Sequence, residues 1–332
     1  MPAPEHMHAA YVESLGGVDA IRYGLLPVPR CGPGDVLLRV EAVAVDNVDT
    51  FVRSGRFRTE VTFPFVIGRD VVGTVVDRGA DVTAPNIGDR VWCNSLGHDG
   101  RQGPTSEYTT APVERVYSLP AGVDPVVAVA VAHPAATAHL ALYTHAGLRA
   151  VDTVFVAGGA GHVGSALTAM AARSGASVLA SARAQDHEWC RSAGAAQVFD
   201  YAAPDLLEQL RAAAPNGVDV LVDTSGRLYL SDALELLALR GRIVVMAGMD
   251  RKLECRAGDL YPRDRSLLGF AISNATTDEL AEAARHVTTL LADGVLRPRH
   301  IEELPLSAAG EAHRRLEAGE ARGTRLVLRP DN

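Results

Sequence analysis

Gly159, Gly161 and Gly164 stand in GxGxxG spacing, and their flanks decide what that spacing can do. The apolar run at 154–157 predicts a buried strand leading into them. Residues 165–173 predict a helix, Gly175 follows it, and a second strand starts at Ser177. In that setting the glycines serve a tight turn, close approach of backbone to a pyrophosphate, and close contact of helix with strand. The helix N-terminus adds free N–H groups and a positive dipole end. A functionless glycine-rich turn can carry the same three letters. The order strand, glycines, helix, strand makes dinucleotide binding the stronger reading.

The end of the second strand bears on which dinucleotide. An Asp or Glu there would hold a ribose 2′-hydroxyl, as in NAD-specific sites. Here the strand ends Ala180-Ser181-Ala182-Arg183, without an acid. A hydroxyl and a guanidinium suit a 2′-phosphate, because arginine forks onto phosphate oxygens, and this favours NADP(H). The competing reading makes Arg183 a solvated surface arginine, and Asp186 would weaken phosphate binding if it pointed inward.

The elements around this unit change character along the chain. Strands are expected at 36–44, 71–76 and 89–92, broken by Gly79, Pro85 and Gly88, a spacing that suits a small barrel or sandwich. Residues 94–104 are polar and glycine-rich and predict a mobile surface loop. Asp124-Pro125 is a helix start. Beyond it helical patterns alternate with strands at 154–156, 178–180, 198–199, 218–222 and 242–247, which implies a parallel sheet with covering helices. A long helix at 277–293 and a last strand at 324–328 complete the pattern. With 332 residues, 47% of them hydrophobic, one large or two ordinary domains can bury real cores.

The formal charge of −8 is spread without a basic run, which argues against nucleic acid as a partner. Arginine supplies nearly all the positive charge, Lys252 being the single lysine. The N-terminal residues are neither basic nor apolar, so no signal peptide is expected. The longest apolar run, 126–132, is too short to cross a bilayer, so no membrane partner is expected. Cys31, Cys93, Cys190 and Cys255 are far apart and form no CxxC pair, which speaks against a zinc ribbon or disulfide framework and suits a reducing cytoplasm.

Several further motifs come in a fixed order. They are Pro33-Gly34-Asp35-Val36-Leu37, Val48-Asp49-Thr50-Phe51-Val52-Arg53-Ser54-Gly55, and Pro64-Phe65-Val66-Ile67-Gly68-Arg69-Asp70. Then come Gly88-Asp89-Arg90-Val91, Thr137-Ala138, the glycine turn, Asp219 to Gly226, Gly241-Arg242-Ile243-Val244 and Gly323-Thr324-Arg325-Leu326-Val327-Leu328. Together they resemble the medium-chain dehydrogenase/reductase superfamily, and within it the zinc-free quinone oxidoreductase branch. The resemblance implies an α/β fold: a GroES-like β-barrel catalytic domain at 1–127, a Rossmann NADP-binding domain at 128–268, and a return to the catalytic domain at 269–332. It implies an active site in the cleft between them, a homodimer, and a small-molecule quinone or α,β-unsaturated carbonyl substrate. It adds Thr137, His162, Val163, Ala247 and Gly248 to the cofactor site, with Tyr201 near the adenosine phosphate unless that ring is an ordinary sheet-edge aromatic.

The metal positions of the superfamily's alcohol dehydrogenases are altered. The first ligand position is Asp46, the second Arg69 and the third His133. An arginine has no lone pair to donate, and the four-cysteine structural zinc loop is missing, so no metal is expected. Asn-Pro of the quinone oxidoreductases is replaced by Asp46-Asn47, and two cleft tyrosines by Phe51 and Phe57, so the pocket differs from that of the branch. Without a metal, hydride transfer to an electron-poor carbon needs stabilisation of a developing oxyanion and a proton. His133 and Asp46 are the candidate catalytic pair. His133 precedes Pro134 at the end of a helix, where the dipole would favour an imidazolium. The bland alternative makes His133 a helix cap and Asp46 a solvated residue. Asp49 and Arg53 are expected to form an i,i+4 ion pair, Arg69 and Asp70 either line the cleft or pair with neighbours, and His98, His139 and His145 are read as loop or helix-surface residues. Zinc-free alcohol/ketone chemistry and a non-catalytic nucleotide-binding protein remain open beside the reductase reading.

Overall fold

Alternating apolar residues make the strand Asp35–Ala44 the spine of one sheet. Val36, Leu38, Val40 and Val43 point into a core shared with Val71, Val75, Val91, Leu326 and Leu328. The computed structural model describes residues 3–331. It divides the chain into two compact units: one runs up to His133 and resumes at Leu280, and the other is Pro134–Glu279.

In the first unit a seven-stranded sheet runs His300–Pro305, Thr324–Arg329, Asp35–Ala44, Asp70–Arg78, Arg90–Cys93, Tyr117–Ser118, with Tyr108–Pro112 also on Asp35–Ala44. Its pairs are antiparallel except for the first two strands, which run parallel. A smaller sheet orders Arg22–Pro27, His6–Val12 and Phe65–Val66.

The second unit holds six parallel strands in the order Gln197–Asp200, Ser177–Ala182, Thr153–Ala157, Val218–Asp223, Leu237–Val245, Ser266–Gly269. Counted within the unit this is 3-2-1-4-5-6, the doubly wound order of dinucleotide-binding sheets. Val154, Val156, Val220 and Val222 are buried, as strands covered on both faces require. The fifth strand starts earlier than the sequence pattern suggests, because Arg240 at positive φ and Gly241 create an irregularity inside it rather than a turn before it.

Two sequence expectations are corrected. The segment 94–104 is not a loose surface loop: Asn94, Ser95 and Leu96 are buried, and its backbone amides bond to Val66, Arg69 and Gln102 carbonyls. Its glycines serve backbone contact instead of mobility. A Cβ on Gly97 would lie 2.2 Å from the Gly68 carbonyl oxygen, and one on Gly103 2.3 Å from that of Ile67. The helix that starts at Pro125 does not end at His133. It runs through Pro134 to His139 and continues as π-helix to His145. Pro134 removes one intrahelical bond, but neighbouring alanines at 130, 132, 135 and 136 are buried and leave the backbone room. This continuous helix of 21 residues contains an 18-residue stretch of mean hydropathy 1.5, long and apolar enough to cross a membrane, but 89% of that stretch is buried, as in a core helix.

Candidate active site

A short helix brings Asp46 into place. Asp46 is its N-cap with extended backbone, the helix runs Asn47–Ser54, and Gly55 closes it at φ 77°. The Asp46 amide donates to the Asp49 carboxylate at 2.8 Å, so Asp49 secures the cap from the N3 position. Asp49 therefore does not pair with Arg53. Arg53 is buried and pairs with Glu317 on the helix Ala309–Glu317, because its side chain turns inward to that neighbour.

Asp46, Asp70 and His133 converge in the first unit. Each offers one ligand atom, and the three atoms lie within 4.8 Å of one another in buried surroundings. His133 Nδ1 is 3.4 Å from Asp70 Oδ1. Arg325, from the strand Thr324–Arg329, donates from Nη1 to Asp46 Oδ1 at 2.8 Å. Arg69 is also buried, at 1% exposure, and its charge acts on Asp46, Asp49 and Asp70. Asp46 is thus no solvated carboxylate.

Burial and charge set the proton positions. Burial opposes ionisation of Asp46, yet Arg325 and His133 outweigh it and hold the carboxyl below its usual range. Burial, the Asp46 charge and a hydrogen bond to Asp46 push Asp70 well above the usual carboxylate range. Burial and the same charge push Asp49 up to about 7. Burial lowers His133, with Arg69 adding to the effect, although Asp46 opposes it. The imidazole is therefore biased to the neutral form. The expectation of a dipole-stabilised imidazolium fails because His133 sits in mid-helix, where no free carbonyls gather. His139 is buried against Tyr143, with ring centroids 4.8 Å apart, and is not a surface residue.

The donor set does not fit a resident metal as it stands. Two carboxylates and an imidazole are suitably close, but a guanidinium already binds one carboxylate, and a second guanidinium occupies the superfamily's second ligand position.

In the second unit the glycine loop follows the strand Thr153–Ala157. Gly161 is the N-cap of the helix His162–Arg173. The first i→i−4 bond runs from Ser165 N to the Gly161 carbonyl, so the amides of His162, Val163 and Gly164 precede it. A Cβ on Gly159 would lie 2.8 Å from that of Ala180, and one on Gly164 2.1 Å from the Gly158 oxygen. A Cβ on Gly161 would meet only the Gly158 oxygen, at 3.3 Å, so this side of the loop is open toward a phosphate. The residues fit a dinucleotide. Ser181 is buried, and its carbonyl accepts the Gly158 and Gly159 amides. Arg183 Nε donates to the buried carboxylate of Asp186 at 2.9 Å. Tyr201 is exposed, and Ala247 and Gly248 lie in the loop after the fifth strand. Thr137 sits one turn beyond His133 on the same helix.

Sequence reasoning misses two contributions. Arg325 stands in the sequence only as part of a terminal strand motif; the signal is a charged residue among the apolar positions of that strand. Arg251 donates to the Gly226 and Leu228 carbonyls and holds the loop after the fourth strand, where Asp223 also accepts the Ser225 and Gly226 amides.

With this geometry in view, two family descriptions match the chain: an alcohol dehydrogenase GroES-like domain over residues 32–121 and a zinc-binding dehydrogenase over 163–289. The quinone oxidoreductase of Mus musculus is 29% identical, with 97% of each chain covered. That of Sus scrofa is 30% identical over 92% of this chain and 93% of its own. A mycobacterial protein solved in complex with NADPH superposes with a TM-score of 0.83 at 29% identity, covering 98% of this chain and 100% of its own. The chain belongs to the medium-chain dehydrogenase/reductase superfamily, in its quinone oxidoreductase-like branch. It has the GroES-like and Rossmann domains of that superfamily and is an oxidoreductase of that family.

Proposed function

We propose that this protein is a zinc-independent, NADPH-dependent reductase that delivers hydride to a quinone or an α,β-unsaturated carbonyl. The observation that carries the reading is the buried Asp46–Asp70–His133 group closed by Arg325, which provides proton chemistry where related dehydrogenases bind a metal. The glycine loop and the amides of His162, Val163 and Gly164 would hold the pyrophosphate, and Arg183 would meet the 2′-phosphate with its outer nitrogens. The bound nicotinamide supplies the hydride.

The side chains handle the proton. A hydride acceptor next to a carbonyl becomes an enolate, and a quinone becomes a hydroquinone anion. Neutral His133 donates its N–H to that oxygen. Asp70, whose carboxyl is pushed toward its protonated form and lies 3.4 Å from Nδ1, passes its proton to the ring as the opposite N–H leaves, and is itself left as a carboxylate to be reprotonated from solvent. Asp46 stays ionised on Arg325 and stabilises positive charge on the imidazole as the proton passes.

The test is NADPH oxidation by metal-stripped protein with simple enones and quinones. Turnover that survives chelation supports the reading. Absence of turnover with either class, or recovery only on adding zinc, overturns it.

A further inference from the structure

We infer that the Arg325 guanidinium serves as the built-in cation of a three-ligand metal site and keeps that site closed to divalent ions. The inference rests on the zinc-independent reading above but goes beyond it, because it names the residue that enforces metal exclusion.

The geometry is specific. Asp46, Asp70 and His133 come from three separate elements, yet their donor atoms fall within 4.8 Å of one another, the spacing of ligands around a single ion. A cation is already in contact with this group, since Arg325 Nη1 lies 2.8 Å from Asp46 Oδ1. The guanidinium is buried, at 4% exposure, and its Nε and Nη2 have no hydrogen-bond partner among the described residues. It does not spread its donors over backbone carbonyls, as a purely structural buried arginine would. Its hydrogen-bond partner is a carboxylate of the three-residue group. A divalent ion among these ligands would sit a few ångströms from a fixed positive charge in a buried site, where repulsion is weakly screened. Arg325 also consumes the Asp46 charge that such an ion would require. Arg69, buried beside the same carboxylates, adds to the repulsion.

Removing the guanidinium should open the site. The experiment titrates Co²⁺ and Zn²⁺ into unmodified protein and into Arg325→Gln and Arg325→Met, following cobalt absorption and the metal retained after dialysis. Unmodified protein should retain almost none. The folded variants should take up one ion per chain, at least on the order of a hundredfold more tightly than the unmodified protein, given the charge removed. That uptake should vanish when His133→Gln is added. Folded variants that bind no better than the unmodified protein overturn the inference. If neither variant folds, the unmodified protein decides. One tightly held ion, lost on His133→Gln with Arg325 intact, overturns the inference; failure to bind at that residue supports it. Metal uptake is read independently of turnover. Metal-free turnover with no gain of binding in the variants sinks this inference alone, whereas zinc-dependent turnover of the unmodified protein sinks both.

Discussion

Arg183 and Asp186 form an ion pair at 2.9 Å at the end of the second Rossmann strand, with the carboxylate buried and the guanidinium partly open to solvent. Asp186 does point inward, as an acid that competes with a phosphate would. It engages Nε and so leaves the terminal nitrogens, which form the fork that binds phosphate. Preference for NADPH over NADH is therefore the expected outcome in fluorescence titrations. Arg183→Ala should cost about 1.5–3 kcal/mol against NADPH, as for a hydrogen bond to a charged group, and little against NADH. Equal affinities in the unmodified protein would refute the preference.

His133→Ala should slow turnover far more than it weakens NADPH binding. A loss below about twofold, under ~0.5 kcal/mol of barrier, would make the histidine a spectator. Asp70→Asn retains a neutral donor toward Asp46 but has no acidic proton to return to the ring. It should lower kcat while leaving cofactor affinity unchanged, and the alkaline limb of the pH–rate profile should change, since that limb reports loss of the Asp70 proton.

His313 predicts an acid-labile fold. It is buried, and burial, with Arg53 nearby, lowers it from 6.5 to about 3. A histidine lowered on folding contributes stability that is present above its unfolded value of 6.5 and is lost as pH falls toward 3. At about 1.4 kcal/mol per unit, several kcal/mol should disappear across that window. His313→Met should flatten the acid side of a urea-denaturation profile. An unchanged slope would sink the assignment.

Asp49 has the opposite sign. Its carboxyl rises from 3.8 to about 7, so its contribution is fullest below pH 3.8 and declines as pH climbs through 7. Asp49→Asn keeps an acceptor for the Asp46 amide and removes the buried charge. Relative to unmodified protein, the variant should gain stability between pH 5 and pH 8 in the same denaturation series. Asp49→Ala should instead lose about 1 kcal/mol, the value of a helix cap.

What the sequence revealed depended on how local each feature is. The glycine loop is legible because turn, phosphate approach and helix contact all act within a few residues. The strand order around it follows from alternation of apolar runs with helical ones. Arg325 was opaque because its partner Asp46 lies 279 residues away, and no local pattern joins them. The 94–104 segment misled because glycines and polar residues mark both solvated loops and places where two backbones touch. Pro134 misled because a proline usually ends a helix, and only the packed surroundings keep this one going.

The strand Thr324–Arg329 lies between His300–Pro305 and Asp35–Ala44, pairing Val327 with Ala44 and Leu328 with Val43. During synthesis, therefore, the Rossmann segment can acquire its full set of strands before residues 324–329 emerge, while the Val43–Ala44 end of the strand Asp35–Ala44 waits for its partner. The same late strand delivers Arg325, so the charge balance around Asp46 is set only after the Rossmann strands exist. A chain cut before residue 324 would lose an internal stave of the sheet together with the arginine.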